Sequence, residues 1–225
     1  MNLITPKTLV QALVAAACVA TGGNALAQAN TLYGGITSVN VNSSSPNLMG
    51  PFTPPNANLT VGDKTTVSFG YIREIAPNIE IEFALGIPPT HNINGTGALA
   101  GAGVIARVKQ FAPTAFVNYR FGKAGDTFRP FVGVGVNYTK FSPTSTPSGD
   151  AASGGPTQLE SSDSTGFAAH AGATYALGGG WSLTGAIAMA NVKTDLKSTT
   201  SGIIIRKTTI DLRPVVLSLN VGYSF

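Results

Sequence analysis

Between residues 128 and 141 the chain reads FRPFVGVGVNYTKF, and its apolar residues keep a period of two. Phe128, Val132, Val134, Val136 and Tyr138 share one face of an extended strand; Phe131, Gly133, Gly135, Asn137 and Thr139 share the other. A helix cannot hold that pattern. Phe128 and Tyr138 lie ten residues apart. At ~3.3 Å per residue and a tilt near ~40°, that spans roughly 25 Å along a membrane normal, the height of the apolar band between the aromatic girdles of a transmembrane barrel. The valine face therefore reads as lipid-facing and the glycine face as luminal.

The rest of the chain repeats the design. Eight strands are predicted, at about 31–41, 64–74, 79–88, 108–121, 128–141, 165–177, 181–194 and 208–225. The connections at 75–78, 122–127 and 178–180 are short, and those at about 42–63, 89–107, 142–164 and 195–207 are long. Strict alternation of short and long connections is the habit of an up-and-down barrel with tight periplasmic turns and longer outer loops. The fold class expected is all-β, an eight-stranded antiparallel up-and-down transmembrane β-barrel. The first strand, TLYGGITSVNV, fits either register. Charged residues make up only 11% of the chain, against about 25% in soluble domains, and no apolar run after residue 27 reaches the ~20 residues of a membrane helix. The 14 basic and 10 acidic residues are scattered, which excludes a nucleic-acid stripe.

The N-terminus supplies a compartment. Lys7, the short apolar core TLVQALVAAACVA and the small residues ALA at 25–27 have the anatomy of a secretory signal peptide. Residues 1–27 are expected to be removed, leaving 28–225 as one outer-membrane barrel without cysteine, since Cys18 leaves with the signal.

The last strand, VVLSLNVGYSF, places Val215, Leu217, Leu219, Val221, Tyr223 and Phe225 on one face. It also resembles the terminal signal by which barrel-insertion machinery recognises its clients. Together with FRPFVGVGVNYTKF, APTAFVNYRFG at 112–122 and GFAAHAGATYALGGGWSL at 166–183, it resembles the OmpW family of small outer-membrane β-barrels, which includes AlkL-like proteins for uptake of hydrophobic compounds. The resemblance covers most of the chain after residue 27. It implies a narrow apolar channel for small hydrophobic molecules in the outer membrane of a Gram-negative bacterium, in contact with lipid and lipopolysaccharide.

Three groups of candidate residues follow. Apolar stretches in the predicted outer loops, including Leu48, Met49, Phe52, Leu99, Val104 and Ile105, suit a greasy entrance; the alternative is strand extensions packed on one another. Alternation turns Glu80, Glu82, Arg120 and Arg129 inward near the periplasmic end, where opposite charges are expected to pair and plug the lumen. A solute stopped there leaves sideways, and Pro113, Gly133 and Gly135 mark a weak point in the wall. The alternative at Pro113 is a simple bulge. Catalysis is not expected. His170 is followed by Ala171 and Gly172, so a His-x-Ser pair is absent, and nothing in the spacing around His91 demands a nucleophile. Two histidines and no cysteine after residue 27 leave no metal-ligand cluster, and no cofactor is called for. A second functional class stays open: a structural or interaction barrel whose outer loops serve adhesion or act as a phage or bacteriocin receptor.

Overall fold

The structure is a computed structural model and describes residues 30–51 and 53–225. The signal peptide expected at 1–27 and the entrance candidate Phe52 lie outside the described residues.

Thirteen antiparallel strands are present among them. Eight close into a ring: β1 (Asn30–Ser44), β3 (Lys64–Ala76), β4 (Ile79–Gly86), β7 (Thr114–Arg120), β8 (Phe128–Ser145), β10 (Ser164–Gly178), β11 (Trp181–Ala190) and β13 (Ile203–Ser224). Each ring strand pairs with its neighbours in this order, and β13 returns to β1 with Thr31 opposite Ser224. Closure gives every ring strand a partner on both sides, as a bilayer demands of backbone polar groups. The connection at 178–180 is tight because Gly178, Gly179 and Gly180 all take positive φ, at 91°, 61° and 85°.

Alternation decides the faces as expected. Val134 and Phe167 are 68% and 77% exposed, with Val132, Val136, Leu217 and Leu219 exposed beside them. Such a belt is untenable in water and natural in lipid. At the rim of the short turns Tyr119 meets Phe121 and Trp181 meets Tyr223, each pair with centroids 5.0 Å apart. The ambiguous first strand resolves with Leu32 and Ile36 outward and Thr31, Tyr33 and Thr37 inward.

The long connections are mostly not loops. β2 (Ala57–Val61), β5 (Thr90–Gly97), β6 (Val104–Phe111), β9 (Thr157–Ser161) and β12 (Val192–Thr200) build the wall outward. β8 and β13 run the full height, so each pairs with two strands in succession: β7 then β6, and β11 then β12. The expected strand 108–121 is thus interrupted at Ala112 and Pro113, and 181–194 at Asn191. The physical reason at the first break is proline, which has no N–H to continue a ladder. A short helix, α1 (Pro147–Ser153), is capped by the Thr146 hydroxyl, which accepts from the Gly149 amide. It sits tightly on β6: a Cβ at Gly149 would come within 2.0 Å of the Ile105 carbonyl oxygen.

Candidate functional site: the lumen and the gap in its wall

Inside the membrane-spanning half, β4 and β7 carry the charged residues. Arg120 grips Glu80 with two bonds, Nε to Oε1 at 2.6 Å and Nη2 to Oε2 at 2.9 Å. Both are buried. The fork-to-carboxylate geometry is the strong form of an ion pair. Glu82 accepts from the Tyr33 hydroxyl at 2.7 Å and from Asn118 Nδ2 at 2.8 Å. Asn118 Oδ1 lies 2.6 Å from His170 Nε2, so with the amide in this orientation Nε2 carries the proton and donates. Phe116 stacks on the imidazole at 3.8 Å. Gly133 makes room for this network, since a Cβ there would lie 2.0 Å from Asn118 Oδ1 and 2.5 Å from His170 Nε2.

Arg129 departs from the expected plug. Its Nε donates to the Phe121 carbonyl at 3.3 Å and its Nη2 to Asn78 Oδ1 at 3.2 Å. It ties down a short turn instead of meeting a carboxylate. The charged network fills only one side of the lumen. A cavity of about 600 Å³ runs from Gln110 and Thr139 to Gly180 and Ser224, passing small inward residues such as Thr184, Ala186, Ala188 and Ser218 on the opposite side.

The outer half is filled differently. Leu48, Leu59, Ile93, Leu99 and Leu196 are buried in one apolar cluster with Val108 and Ile210. Fully burying each such side chain contributes roughly 1.5–3 kcal/mol. Of the residues expected at a greasy entrance, Leu48 and Leu99 lie inside this cluster, Val104 and Ile105 are half-buried, and Met49 is exposed at the rim. Facing short strands explain it, because their apolar sides have only one another to pack against. Within this core a second cavity of about 40 Å³ remains, lined by Leu48, Leu59, Ile93, Ile105, Leu196 and Arg206, with polar neighbours from α1 and β9.

Between the two halves the wall is incomplete. The ladder of β4 with β7 ends at Ala84 opposite Thr114. That of β5 with β6 begins at Thr90 opposite Lys109. Across the interval one backbone bond remains, Gln110 N–H to the Pro89 carbonyl at 3.0 Å. Pro88, Pro89 and Pro113 border the interval, and none can donate. Leu85, Gly86, Pro89 and Ala112 line the large cavity, so the lumen reaches this gap. Gly133 and Gly135 do not: both lie in complete ladders, opposite Asn118 and Phe116 on one side and His170 and Ala168 on the other. On the β8 side Pro113 still accepts from the Tyr138 amide at 3.0 Å. The thin stretch is thus one strand away from where the glycines suggest it.

Above the gap, His91 on β5 is 1% exposed. Its Nδ1 lies 2.7 Å from the Gly62 carbonyl oxygen, and its Nε2 has no hydrogen-bond partner. Burial holds the imidazole below its ordinary pKa range, and the Lys64 ammonium adds to the effect.

Residues 30–225 match the model of the OmpW family. The chain belongs to the OmpW family. Outer membrane protein W of Vibrio cholerae is 34% identical over 194 residues, covering 85% of this chain and 86% of that one. Outer membrane protein AlkL of Ectopseudomonas oleovorans is 27% identical over 174 residues, covering 76% and 70%. In three dimensions the chain is similar to the outer membrane protein OprG from Pseudomonas aeruginosa, with a TM-score of 0.79 and 25% identity over 88% of this chain and 96% of that one. The protein is thus an outer-membrane β-barrel.

In this OmpW-family barrel, Glu80, Glu82 and Arg120 come together as alternation predicts. Tyr33 and Phe116 join them without forewarning, because the register that brings β1 against β4 through the lumen is set by ring closure. Pro88 and Pro89 are legible as strand breakers, but their pairing with the Pro113 break emerges only once β4 and β7 are neighbours.

Proposed function

We propose that this barrel is a channel for small hydrophobic molecules, which enter through the apolar outer half and leave sideways into the bilayer. The observation that carries the reading is the contact of the lumen with the stretch of wall bordered by Pro88, Pro89 and Pro113. Below that level the lining is polar and charged. An apolar solute kept in water forgoes about 25 cal/mol per Å² of apolar surface that lipid would cover. The gap is therefore the easier exit, even though the large cavity continues past Glu80 and Arg120. The similarity to AlkL and the family resemblance carry the same expectation. Arg107, Lys109 and Lys140, exposed on the outer wall, suit lipopolysaccharide phosphates, and the exposed Phe225 ring suits the barrel-insertion machinery.

The test is uptake of a radiolabelled monoterpene into proteoliposomes. In an antiparallel hydrogen-bonded pair both residues donate; Pro89 accepts from Gln110 and cannot return the bond. Pro89→Val restores that donor and is expected to slow uptake severalfold. Glu80→Ala is expected to add ion leakage without speeding monoterpene entry. Faster monoterpene entry in Glu80→Ala with no change in Pro89→Val would mean straight passage through the barrel.

A further inference from the structure

The outer wall carries its cations in two different ways. On the side of β12 and β13 they stand among acids: Lys193 lies opposite Asp211, Lys197 lies opposite Glu160, and Arg213 Nη2 meets Asp211 Oδ2 at 3.1 Å. On the side of β6 and β8 they do not. Arg107, Lys109 and Lys140 are exposed on the outward face, and their cross-strand partners carry no charge. Arg107 lies between Asn92 and Thr144, Lys109 between Thr90 and Ser142, and Lys140 beside Phe111. Among the described residues none of the three cations forms an ion pair. The acids at the two borders of this face are engaged elsewhere. Asp163 accepts from the Tyr138 hydroxyl at 2.5 Å, and Asp63 from the Val41 amide at 2.7 Å.

The height of the three cations decides what they meet. Tyr138 closes the apolar face of β8, and Lys140 is the next outward residue. Phe111, opposite Lys140, is the last apolar outward residue of β6. At ~3.3 Å per residue, Lys109 and Arg107 follow it at about 7 and 13 Å along the strand. The cluster therefore stands at the level of lipid headgroups, where grouped Lys and Arg attract anionic heads. It also stands over the gap. Extending the register of β4 with β7 by three residues from Ala84 and Thr114 brings Ile87 beside Phe111. Both side chains are exposed, and between their strands runs the interval crossed by the single bond from Gln110 to Pro89. A basic head site thus lies directly above two apolar side chains that flank an opening. That is the outline of one amphipathic molecule with an anionic head and a hydrocarbon chain. Arginine adds a planar fork that matches phosphate oxygens.

We propose that Arg107, Lys109 and Lys140 bind a phosphate of lipid A, the phosphorylated glycolipid of the outer leaflet, with one of its acyl chains lying over Ile87 and Phe111 across the gap. The bound lipid then forms the outer side of the exit, a role that rests on the channel reading above; the lipid site itself stands without it. The alternative is that the three cations only keep the wall hydrated.

The experiment is titration of the mature protein in detergent micelles with diphosphoryl lipid A, with dephosphorylated lipid A and with phosphatidylglycerol, counting bound lipid by native mass spectrometry. The wild type is expected to bind diphosphoryl lipid A about tenfold more tightly than either of the others, the scale of one charge-assisted hydrogen bond. The triple variant Arg107→Gln, Lys109→Gln, Lys140→Gln is expected to erase the preference. The matched variant Lys193→Gln, Lys197→Gln, Lys207→Gln removes as many charges from the other side of the wall and is expected to keep it. Lipid A carrying a spin label on an acyl chain is expected to broaden the Ile87 methyl resonances before those of Ile187, which is exposed to lipid on β11. Equal wild-type affinity for phosphorylated and dephosphorylated lipid A overturns the proposal, as does equal loss in the two triple variants. Phosphatidylglycerol bound as tightly as lipid A overturns the choice of lipid, and simultaneous broadening of Ile87 and Ile187 overturns the placement of the chain. The wild-type titration and the methyl resonances need no variant. Monoterpene uptake into proteoliposomes without lipid A reports the channel reading separately: its absence beside selective lipid A binding removes transport and keeps the lipid site, and uptake beside equal affinities removes only the lipid site.

Discussion

At the scale of single residues, the lumen shows how far alternation reaches. It places Glu80, Glu82 and Arg120 on one face and suggests that they pair. It cannot say that Arg129 turns instead to Asn78 and the Phe121 carbonyl, because the conformation of a turn decides that. Removing one partner of a buried pair leaves the other charge uncompensated, so Glu80→Ala should lower stability by roughly 3–5 kcal/mol. The double variant Glu80→Leu with Arg120→Met should recover much of the loss. Urea unfolding midpoints in nanodiscs check both. Gly133→Ala should also destabilise, by about 1–3 kcal/mol, through crowding of Asn118 and His170. His91 gives a pH dependence. Its folded pKa lies below its unfolded value near ~6.5, so the folded state binds fewer protons and stability rises with pH. The contribution is complete above the unfolded value and is lost as pH falls towards the folded one. Gly62, Asp63, Lys64 and Gln110 surround the imidazole. Hydrogen exchange of the β5 amides should therefore quicken, relative to the intrinsic rate at each pH, as pH falls below the unfolded histidine value of about 6.5. His91→Gln should flatten that response.

At the scale of elements, all eight ring strands are legible in the sequence, since a period of two with aromatic ends is a strong signal. The outer strands are not. Stretches such as 96–106 look like exposed apolar loops until the partner that covers them is known, and β5 and β6 supply that cover only after folding. The breaks near Pro113 and Asn191 are hidden for a related reason: the strand on either side of each break keeps its alternation. The final strand permits a direct check of register. Phe225 ends its lipid face and is exposed, whereas Ser224 faces Thr31 across the lumen side with hydroxyls 2.8 Å apart. Deleting Phe225 should impair assembly far more than Ser224→Ala, read as loss of heat-modifiable migration on gels. Equal assembly of the two would contradict the register.

At the scale of the whole molecule, the two rims of the barrel differ. The short turns and both ends of the described chain lie at one rim, and α1 and β9 at the other. The expectation is that the former is periplasmic. Gln158→Cys on β9 and Ala124→Cys in the 122–127 turn should separate the cases, because the chain after residue 27 has no cysteine of its own. A membrane-impermeant maleimide should label the first on intact cells and the second only after permeabilisation.

The ring closes where its first and last strands meet. Asn30 and Phe225 exchange backbone bonds, 195 residues apart in sequence. Among the described residues no other seam of the ring joins such distant parts of the chain, and loop-closure entropy opposes it until the other strands have drawn the ends together. A ribosome must therefore release the whole polypeptide before this seam can form. Until then β1 and its neighbours carry a bare edge that invites pairing with any extended chain nearby. A message truncated within β13 would yield neither a smaller barrel nor a leaky one, but an open sheet left for periplasmic proteases to clear.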